Sequence, residues 1–362
     1  MAGNRLIWEG VRGKWLGKFL PLEKGIPSHD TFRSVFSLIK SEQLGAITVA
    51  FLAENIDKIK RSLKIDNQAM RHLCVDGKEG KGTGRKHNTS EEIRNLQTLH
   101  VYDNSNGICL YSEMIDSKTN EIPVAQKILS SLELKNSIVS FDAMNTQQRT
   151  REIIIEQKGE YVGALKGNHK VFEEEVSTFF NQAEMEKIEK KDENYYQTTE
   201  KSHNQVETRE FFLTRDTRWF QDLSNWRGLK SFVCYKRRCL NVVTGKVTTE
   251  LGYYIASVTD VKLCADVIRG HWGVENMLHW HLDVNFHEDE NILIDKNAFN
   301  NLSIINKMVL SLLKLAQPIF DNHSIRSMRK EFSWMLEDNL SKVLNFFDEE
   351  DLLGTIEKVT QK

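Results

Sequence analysis

Apolar positions along the chain follow a helical period at first and a strand period afterwards. Within residues 1–70, an apolar stripe at helical spacing predicts a helix after a turn at Pro27 and Ser28, with His29 and Asp30 as candidate caps. The stripe consists of Phe32, Val35, Phe36 and Leu38. The first 70 residues are therefore predicted to form a mainly helical N-terminal region.

Short β-rich runs replace the helical period between residues 71 and 170. These runs are HLCVDG, QTLHVYD, GICLYSEMI, SIVSFDA and EYVGALK. Helical windows at about 121–132 and 146–157 separate the last three of them. The order strand, strand, strand, helix, strand, helix, strand predicts an α/β domain with a mixed sheet.

The rest of the chain is predicted to hold a charged linker, a β-rich insertion and C-terminal helices. The linker and insertion together occupy residues 171–260, with the highly charged part at 171–201 predicted as a solvated helix and linker. The runs VETREFFLT, LKSFVCYKRR and ELGYYIASV predict a small antiparallel sheet over 206–258. Helical patterns follow over 261–345, and residues 346–362 form an acidic tail.

Composition and charge narrow the class of protein. No apolar run reaches the roughly 18 residues of a membrane-spanning helix. The five cysteines are scattered without a CxxC pair, which favours free thiols in a reducing compartment over a disulfide framework or a structural zinc site. A formal net charge of −2 argues against a general nucleic-acid coat but leaves room for a local basic face.

Three acidic residues stand where they favour metal chemistry. Asp76 follows the apolar run HLCV, Asp142 follows IVSF, and Glu275 lies in the helical segment HWGVENMLHWHLD. Carboxylates can hold two Mg²⁺ ions about 4 Å apart, which activate an attacking oxygen and stabilise a leaving one. Each acid alone also has a structural explanation: a turn at Asp76-Gly77, a helix cap near Thr146 for Asp142, and a surface position for Glu275. The prediction of phosphodiester chemistry therefore depends on the combination.

Long motifs around these acids resemble the ISAs1-type (H-repeat-associated) transposases of bacterial insertion sequences. The motifs are DGK at 76–78, KTNEIP at 118–123, FDAMNTQ at 141–147, YVGALKGNH at 161–169 and HWGVENMLHWHLDVNFHED at 271–289. The segment GIPSHDTF at 26–33 resembles the end of the N-terminal associated domain of that family. The resemblance implies an RNase H-like DDE catalytic core of the IS4-like group, with Asp76, Asp142 and Glu275 as the catalytic, metal-binding triad and with a β-rich insertion before the Glu.

The chain departs from the wider IS4-like group along the last catalytic helix. That group often shows Tyr, Arg, Glu and Lys at set spacings, whereas here Ile268 and Leu282 occupy the outer positions and His271 replaces the Arg. Asp283 and Glu288 are rival third acids, and the WxxEN context favours Glu275 over them. The N-terminal associated domain, a candidate for binding transposon ends, is expected to begin partway through in this chain.

Basic and polar side chains beside these motifs are candidate DNA contacts, because cations attract backbone phosphates without base specificity. The candidates are Lys78, Arg85, Lys86, Lys166, Asn168, His169, Arg209, Lys236, Arg237, Arg238 and His271. Structural explanations compete with this role: a solvated loop around 78–86, a turn at 166–169 and protection of an edge strand at 236–238.

Histidines and tryptophans around Glu275 are predicted to pack in the core. The four histidines between residues 271 and 287 do not match a common zinc spacing, and no cysteine lies nearby. Trp272 and Trp280 lie eight residues apart near one helical face and are assigned to the core rather than to base stacking.

These features and the resemblance together predict a DDE transposase that acts on double-stranded DNA. The resemblance implies binding of terminal inverted repeats, hydrolysis at the element ends and joining of the freed 3′-OH to target DNA, with two Mg²⁺ ions that Mn²⁺ can replace. Paired ends imply a homodimer on DNA, and the expected location is the nucleoid in the bacterial cytoplasm. Two alternatives stay open at this point: a remnant or domesticated copy that binds DNA without catalysis, and a metal-dependent endonuclease that cuts without joining.

Overall fold

The structure is a computed structural model that describes residues 13, 17, 21–62, 70–86, 92–93, 95–115, 120–293 and 295–347. Within these residues, nine strands form one mixed sheet and two more form a short ribbon. In chain order the strands are β1 (Arg71–Gly80), β2 (Arg85–Lys86), β3 (Glu92–Ile93), β4 (Leu96–Asp103), β5 (Ile108–Ile115), β6 (Ser137–Phe141), β7 (Glu160–Leu165), β8 (Tyr195–Ser202), β9 (Gln205–Thr214), β10 (Ser231–Asn241) and β11 (Val247–Ala256).

The large sheet has the order β5-β4-β1-β6-β7-β11-β10-β9-β8, and β2 and β3 form the ribbon. Strand β4 is antiparallel to both β1 and β5, whereas β6 and β7 run parallel to β1. Three antiparallel strands followed by two parallel ones form the mixed-sheet α/β core predicted from the sequence. The RNase H-like fold class is thereby confirmed.

The helices cover both faces of this sheet. In chain order they are α1 (His29–Leu38), α2 (Ser41–Ser62), α3 (Glu121–Ser131), α4 (Gln148–Glu156), α5 (Lys170–Phe179), α6 (Gln182–Glu189), α7 (Val261–Gly273), α8 (Trp280–Phe286), α9 (Lys296–Ala316), α10 (Ile325–Trp334) and α11 (Leu336–Phe347). Helices α3 and α4 pack against each other and contact β4, β5 and β7, while α7 contacts β1, β6 and β7. Ile138 and Val139 are neighbours on β6 but belong to two separate apolar clusters, as expected for a strand buried on both faces.

The N-cap of helix α1 lies one residue before the predicted caps. Its N-cap is Ser28, whose side chain accepts a hydrogen bond from the backbone N of Thr31 at 3.2 Å. The prediction that His29 or Asp30 caps this helix is wrong, because both residues lie inside its first turn.

The β-rich insertion extends the central sheet instead of forming a small sheet of its own. Strand β11 pairs antiparallel with β7, with Tyr253 opposite Leu165 and Ala256 opposite Val162. Strands β10, β9 and β8 then continue the same sheet outward. A single hydrogen-bonded ladder thus joins the insertion to the core.

The segment predicted as a charged linker is also part of the folded structure. It forms α5 and α6 and leads into β8. Phe172, Val176 and Phe180 are buried and lie four residues apart, so they form one apolar helix face among the charges. The prediction of a solvated linker is wrong there because few apolar residues are enough to anchor a short helix.

One described helical segment, Lys296–Phe320, is long and apolar enough to cross a membrane by length and composition. The bent pair formed by His29–Leu38 and Ser41–Leu52 passes the same test only when taken together, across an angle of 91°. Helix α9, which makes up most of the first segment, packs against α1, α2 and β5. We interpret it as a core helix of this fold.

Candidate active site

Asp76 and Asp142 are brought together by the register of two parallel strands. Strands β1 and β6 pair with Val75 opposite Phe141, and each aspartate is the next residue of its chain segment. Burial raises the pKa of Asp76 to about 6, and repulsion from Asp142 and Glu275 adds to the rise. The three acids therefore share one electrostatic environment.

Glu275 approaches this pair from a π-helix, Val274–His279, which joins α7 to α8. Carboxylate oxygens of Asp76 and Glu275 and a ring nitrogen of His279 all lie within 4.8 Å of one another. The side chain of Glu275 is 68% exposed, so the cluster is open to solvent on one side. π-Helical turns are rare and occur frequently at functional sites.

His279 connects Glu275 to a second buried histidine. Its Nδ1 lies 3.1 Å from Glu275 Oε2 and 3.8 Å from Asp76 Oδ2. Its Nε2 lies 3.0 Å from Nδ1 of His100, and Nε2 of His100 lies 3.0 Å from Thr98 Oγ1. Burial keeps the pKa of His100 well below its usual range, so that ring is neutral. If His100 donates from Nδ1, His279 donates to Glu275, and this hydrogen bond lowers the pKa of that carboxyl.

His279 was predicted only to pack in the core, and its contact with the acids is a site role that the sequence pattern missed. The available signal was its position four residues after Glu275, on the same helical face.

A fourth carboxylate, Glu121, lies beside the two aspartates and is absent from the predicted site residues. Its Oε2 accepts a hydrogen bond from Nδ2 of Asn145 at 3.3 Å, and the same Nδ2 lies 3.2 Å from Oδ1 of Asp142. Burial, together with repulsion from Asp142 and Asp76, raises the pKa of Glu121. The only signal for it in the sequence was its place within the KTNEIP motif.

The structural explanations for the two aspartates do not hold. Asp76 and Gly77 lie inside β1 and not in a turn. Asp142 accepts a hydrogen bond from the backbone N of Asn145 at 3.0 Å, within the turn that precedes α4, but that helix begins only at Gln148.

The rival third acids are engaged elsewhere. Asp283 Oδ1 lies 2.6 Å from the Nζ of Lys78. Glu288 is buried and accepts a hydrogen bond from Ser303 Oγ at 2.6 Å. Neither belongs to the cluster formed by Asp76 and Glu275.

Lys78 is not available to contact DNA as predicted. Its side chain is buried, and its Nζ lies 2.6 Å from Asp283 and 3.2 Å from Asp289. The backbone of Arg85 and Lys86 forms β2, but the side chains of these two candidates lie outside the described residues.

The turn after β7 supports the loop that follows Asp142. Asn168 Nδ2 donates to the carbonyl of Ala143 at 2.6 Å, and His169 Nε2 donates to the carbonyl of Thr146 at 2.6 Å. These two side chains therefore make hydrogen bonds within the protein, although Asn168 is exposed, as is Lys166 at the end of its strand.

Most candidate cations of the insertion are paired with carboxylates. The pairs join Arg209 to Glu200 and Glu207, Arg237 to Glu207 and Glu250, and Lys236 to Glu210. Arg238 is exposed and forms no ion pair within the described part of the chain. Strand β10, which carries Arg238, lies between β9 and β11, so the protection of an edge strand is not the reason for its charges.

His271 cannot replace an arginine as a phosphate contact. Its Nδ1 lies 2.9 Å from Ser140 Oγ, and burial lowers its pKa to about 4, so the ring is neutral at pH 7. It lies on α7 and contacts Ser140 of β6 instead.

The tryptophans of this region are exposed, and the prediction that they are core residues is wrong. Trp272 and Trp280 are 60% and 51% exposed. The buried face of their helix is formed instead by Val274, Leu278 and Leu282, which lie at helical spacing.

The donor set fits a hard divalent cation. Carboxylate oxygens converge from two strands and two helices, and Oδ1 of Asn145 is buried beside them without a hydrogen-bond partner among the described residues. Such an oxygen is the kind of group that a cation or its bound water satisfies.

Comparisons with known proteins agree with this chemistry. Residues 67–312 match the family described as "Transposase DDE domain". The chain is 31% identical over 312 residues to "Putative transposase YncI" of Escherichia coli O157:H7, covering 84% of this chain and 75% of that protein. It is 27% identical over 331 residues to "H repeat-associated putative transposase YhhI" of Escherichia coli K12, covering 87% of this chain and 80% of that protein.

It is also similar to an "Uncharacterized protein in dhlA 3'region" of Xanthobacter autotrophicus, with 33% identity over 70% of this chain and 81% of that protein. Among solved structures, a piggyBac transposase synaptic complex with hairpin DNA matches with a TM-score of 0.31 and 8% identity, over 72% of this chain and 56% of that chain. The family match spans more than half of the chain and includes all three acids. The chain therefore belongs to the family of transposases with a DDE domain, enzymes that act on DNA and use divalent metal ions.

Proposed function

We propose that this transposase binds the terminal inverted repeats of its element, hydrolyses the phosphodiester at each end and joins the freed 3′-OH to target DNA. The convergence of Asp76, Asp142 and Glu275 beside the paired ends of β1 and β6 supports this proposal above all. The three side chains act as the catalytic, metal-binding triad. Since two ends must be processed together, a homodimer works on the DNA.

Two Mg²⁺ ions are the proposed cofactors, and Mn²⁺ replaces them. Mg²⁺ takes oxygen ligands and is usually held by a few carboxylates together with substrate phosphate, which matches an oxygen-rich cluster that is open on one side. When bound, such cations activate the attacking oxygen and stabilise the leaving one. The protein contributes rigid strand positions for the two aspartates and a hydrogen bond from His279 that orients Glu275.

Exposed groups near the cluster and on the insertion are proposed to hold the DNA. Lys166 and Arg238 are exposed cations, and Lys166 stands at the end of the strand next to β6. The indole rings of Trp272 and Trp280 lie on the helical segment that carries Glu275 and offer faces for stacking on unpaired bases.

A cleavage assay tests this function. The purified protein is incubated with Mn²⁺ and DNA that carries the inverted repeats found in the flanking genomic sequence. We expect nicked and joined products, reduced to background by Asp142→Ala. Asp216→Ala, which removes a surface aspartate paired with Arg218, is the matched control and leaves activity unchanged.

The products also separate the competing functions. Cleavage that survives Asp142→Ala would refute the triad. Cut DNA without joined product would identify a metal-dependent nuclease, and specific binding without cleavage would identify a DNA-binding remnant.

A further inference from the structure

We propose that Glu121 is a fourth carboxylate ligand of the cation site, on the side of Asp142 and Asn145, and that Gly77 is glycine to make room for it. This inference rests on the proposed function, because it assigns a further residue to the cations that the triad holds.

The Glu121 carboxylate occupies space that a side chain at position 77 would fill, and position 77 is a glycine. A Cβ built on Gly77 would lie 2.2 Å from Glu121 Oε1 and 2.7 Å from its Cδ, closer than any real Cβ contact. Gly77 pairs with Leu99 inside β1 and directly follows Asp76. Its φ is not in the left-handed region, so backbone conformation does not require glycine. Glycine at 77 is therefore explained by the carboxylate that lies against it.

Glu121 does not cap the helix that it begins. It is the first residue of α3, but Asn120 caps this helix by accepting a hydrogen bond from Ile122 N at 3.1 Å. The carboxylate lies instead against Gly77, next to Asp76, and shares the Nδ2 of Asn145 with Asp142. Three acids held together in this way are destabilising without a cation between them.

The side chain of Asn145 is an independent observation that favours a cation at this site. Its side chain is fully buried, and its Nδ2 lies within hydrogen-bonding distance of both Glu121 and Asp142. Its Oδ1 has no partner among the described residues, although buried acceptors rarely go without one. A bound cation would supply that partner directly or through its water.

The cluster therefore has two sides around Asp76. On one side lies Glu275, whose carboxylate is held by the hydrogen bond from His279. On the other side lie Asp142, Glu121 and the amide of Asn145. The ligands proposed on the second side are the carboxylate oxygens of Asp142 and Glu121, and oxygen ligands favour Mg²⁺ or Mn²⁺ over softer metals.

Binding of Mn²⁺ to the full chain without DNA tests this assignment. Electron paramagnetic resonance of free Mn²⁺ gives affinity and stoichiometry for the wild type and for Glu121→Gln, Asp142→Asn and Glu113→Gln. We expect Glu121→Gln to weaken one site about tenfold or more, as Asp142→Asn does. Glu113→Gln, which removes a carboxylate paired with Lys127 at 2.6 Å, is the matched control and keeps wild-type binding.

Gly77→Ala provides a second route to the same answer. Its methyl group displaces the Glu121 carboxylate, so this variant is expected to weaken Mn²⁺ binding to a similar degree. The Gly77→Ala/Glu121→Gln double variant should bind Mn²⁺ no more weakly than either single variant, because both changes remove the same ligand. Circular dichroism of the metal-free variants confirms that they fold.

Wild-type Mn²⁺ affinity in Glu121→Gln, beside weakened binding in Asp142→Asn, would overturn the role of Glu121 and leave the proposed function intact. Unchanged binding in both variants would overturn the cation site itself, and the proposed function with it.

Discussion

At the scale of single residues, Asp76 shows that a carboxylate proposed for catalysis can lower the stability of the folded, metal-free protein. Its pKa, raised from 3.8 to about 6, means that the folded, metal-free protein holds a proton there more tightly than the unfolded chain does. The stability contributed by this proton is complete below about pH 4 and is lost as the pH rises through 6. That difference in pKa corresponds to about 3 kcal/mol, an upper figure for a side chain that is 26% exposed.

Asp76→Asn should therefore stabilise the metal-free protein at neutral pH while it removes a residue of the proposed triad. Asparagine mimics the protonated carboxyl, so the free energy of unfolding should rise by about 1–3 kcal/mol at pH 7.5 and change much less at pH 4. Urea unfolding at both values measures the difference. An equal effect at the two values would show that ionisation of Asp76 is not the cause.

The roles of single residues could be predicted where the neighbouring sequence alone indicates them. Asp76 and Asp142 stand at the ends of apolar runs, and the register of β1 and β6 makes them neighbours. Lys78 could not be predicted, because its partner Asp283 lies 205 residues away in sequence. From the sequence alone, a lysine in a glycine-rich stretch looks unpaired, because its ion-pair partner is close to it only in the folded protein.

At the scale of elements, α7 determines how closely Glu275 approaches the sheet. A Cβ built on Gly270 of this helix would lie 2.8 Å from Nδ1 of His72 and 2.8 Å from the amide nitrogen of Asn104. His72 is buried and held by Ser140 at 2.8 Å, so its ring cannot move aside. Glycine in α7 thus lets the helix rest directly on β1 and the turn that follows β4.

Gly270→Ala should destabilise the protein although alanine is the better helix former. The expected loss is about 1–3 kcal/mol, because the methyl group overpacks the contact with His72. Gly45→Ala in α2 is the matched control, since the nearest atom to its Cβ, Cδ1 of Ile304, lies 3.9 Å away. That change should stabilise by about 0.5–1 kcal/mol. Thermal unfolding measures both, and a gain for both variants would contradict the tight packing of α7.

Helices and strands could be predicted where the apolar periodicity is strong and the elements that they pack against are near in sequence. The windows around α3 and α4 were found because each has a clear apolar face between two strands. The continuity of β11 with β7 could not be found, because Val162 and Ala256 meet across some 90 residues and either strand alone reads as part of an ordinary hairpin.

At the scale of the whole molecule, the continuous sheet makes the insertion part of the core. Removal of β11 would expose the edge of β7, and β7 lies next to the strand that leads to Asp142. Unpaired edges of apolar strands associate with other chains. The insertion therefore protects the centre of the protein as well as adding surface.

Replacing residues 171–258 by a short flexible linker should thus give an aggregating protein instead of a smaller folded core. Light scattering and soluble yield measure the outcome. Replacing only the exposed hairpin tip at 242–246 with Asn-Gly is the matched control and should be tolerated. A soluble monomer with native-like circular dichroism after the large deletion would refute the shared core.

The order of the acids along the chain has a consequence for synthesis on the ribosome. Asp76 lies in a strand made early and Asp142 directly follows another, whereas Glu275 follows the whole insertion. Domains form as the chain emerges from its N-terminal end. With the proposed triad, a nascent or prematurely ended chain that stops before residue 275 holds two acids but not the third. Incomplete chains of this kind would therefore lack the acid that the proposed cleavage of DNA requires.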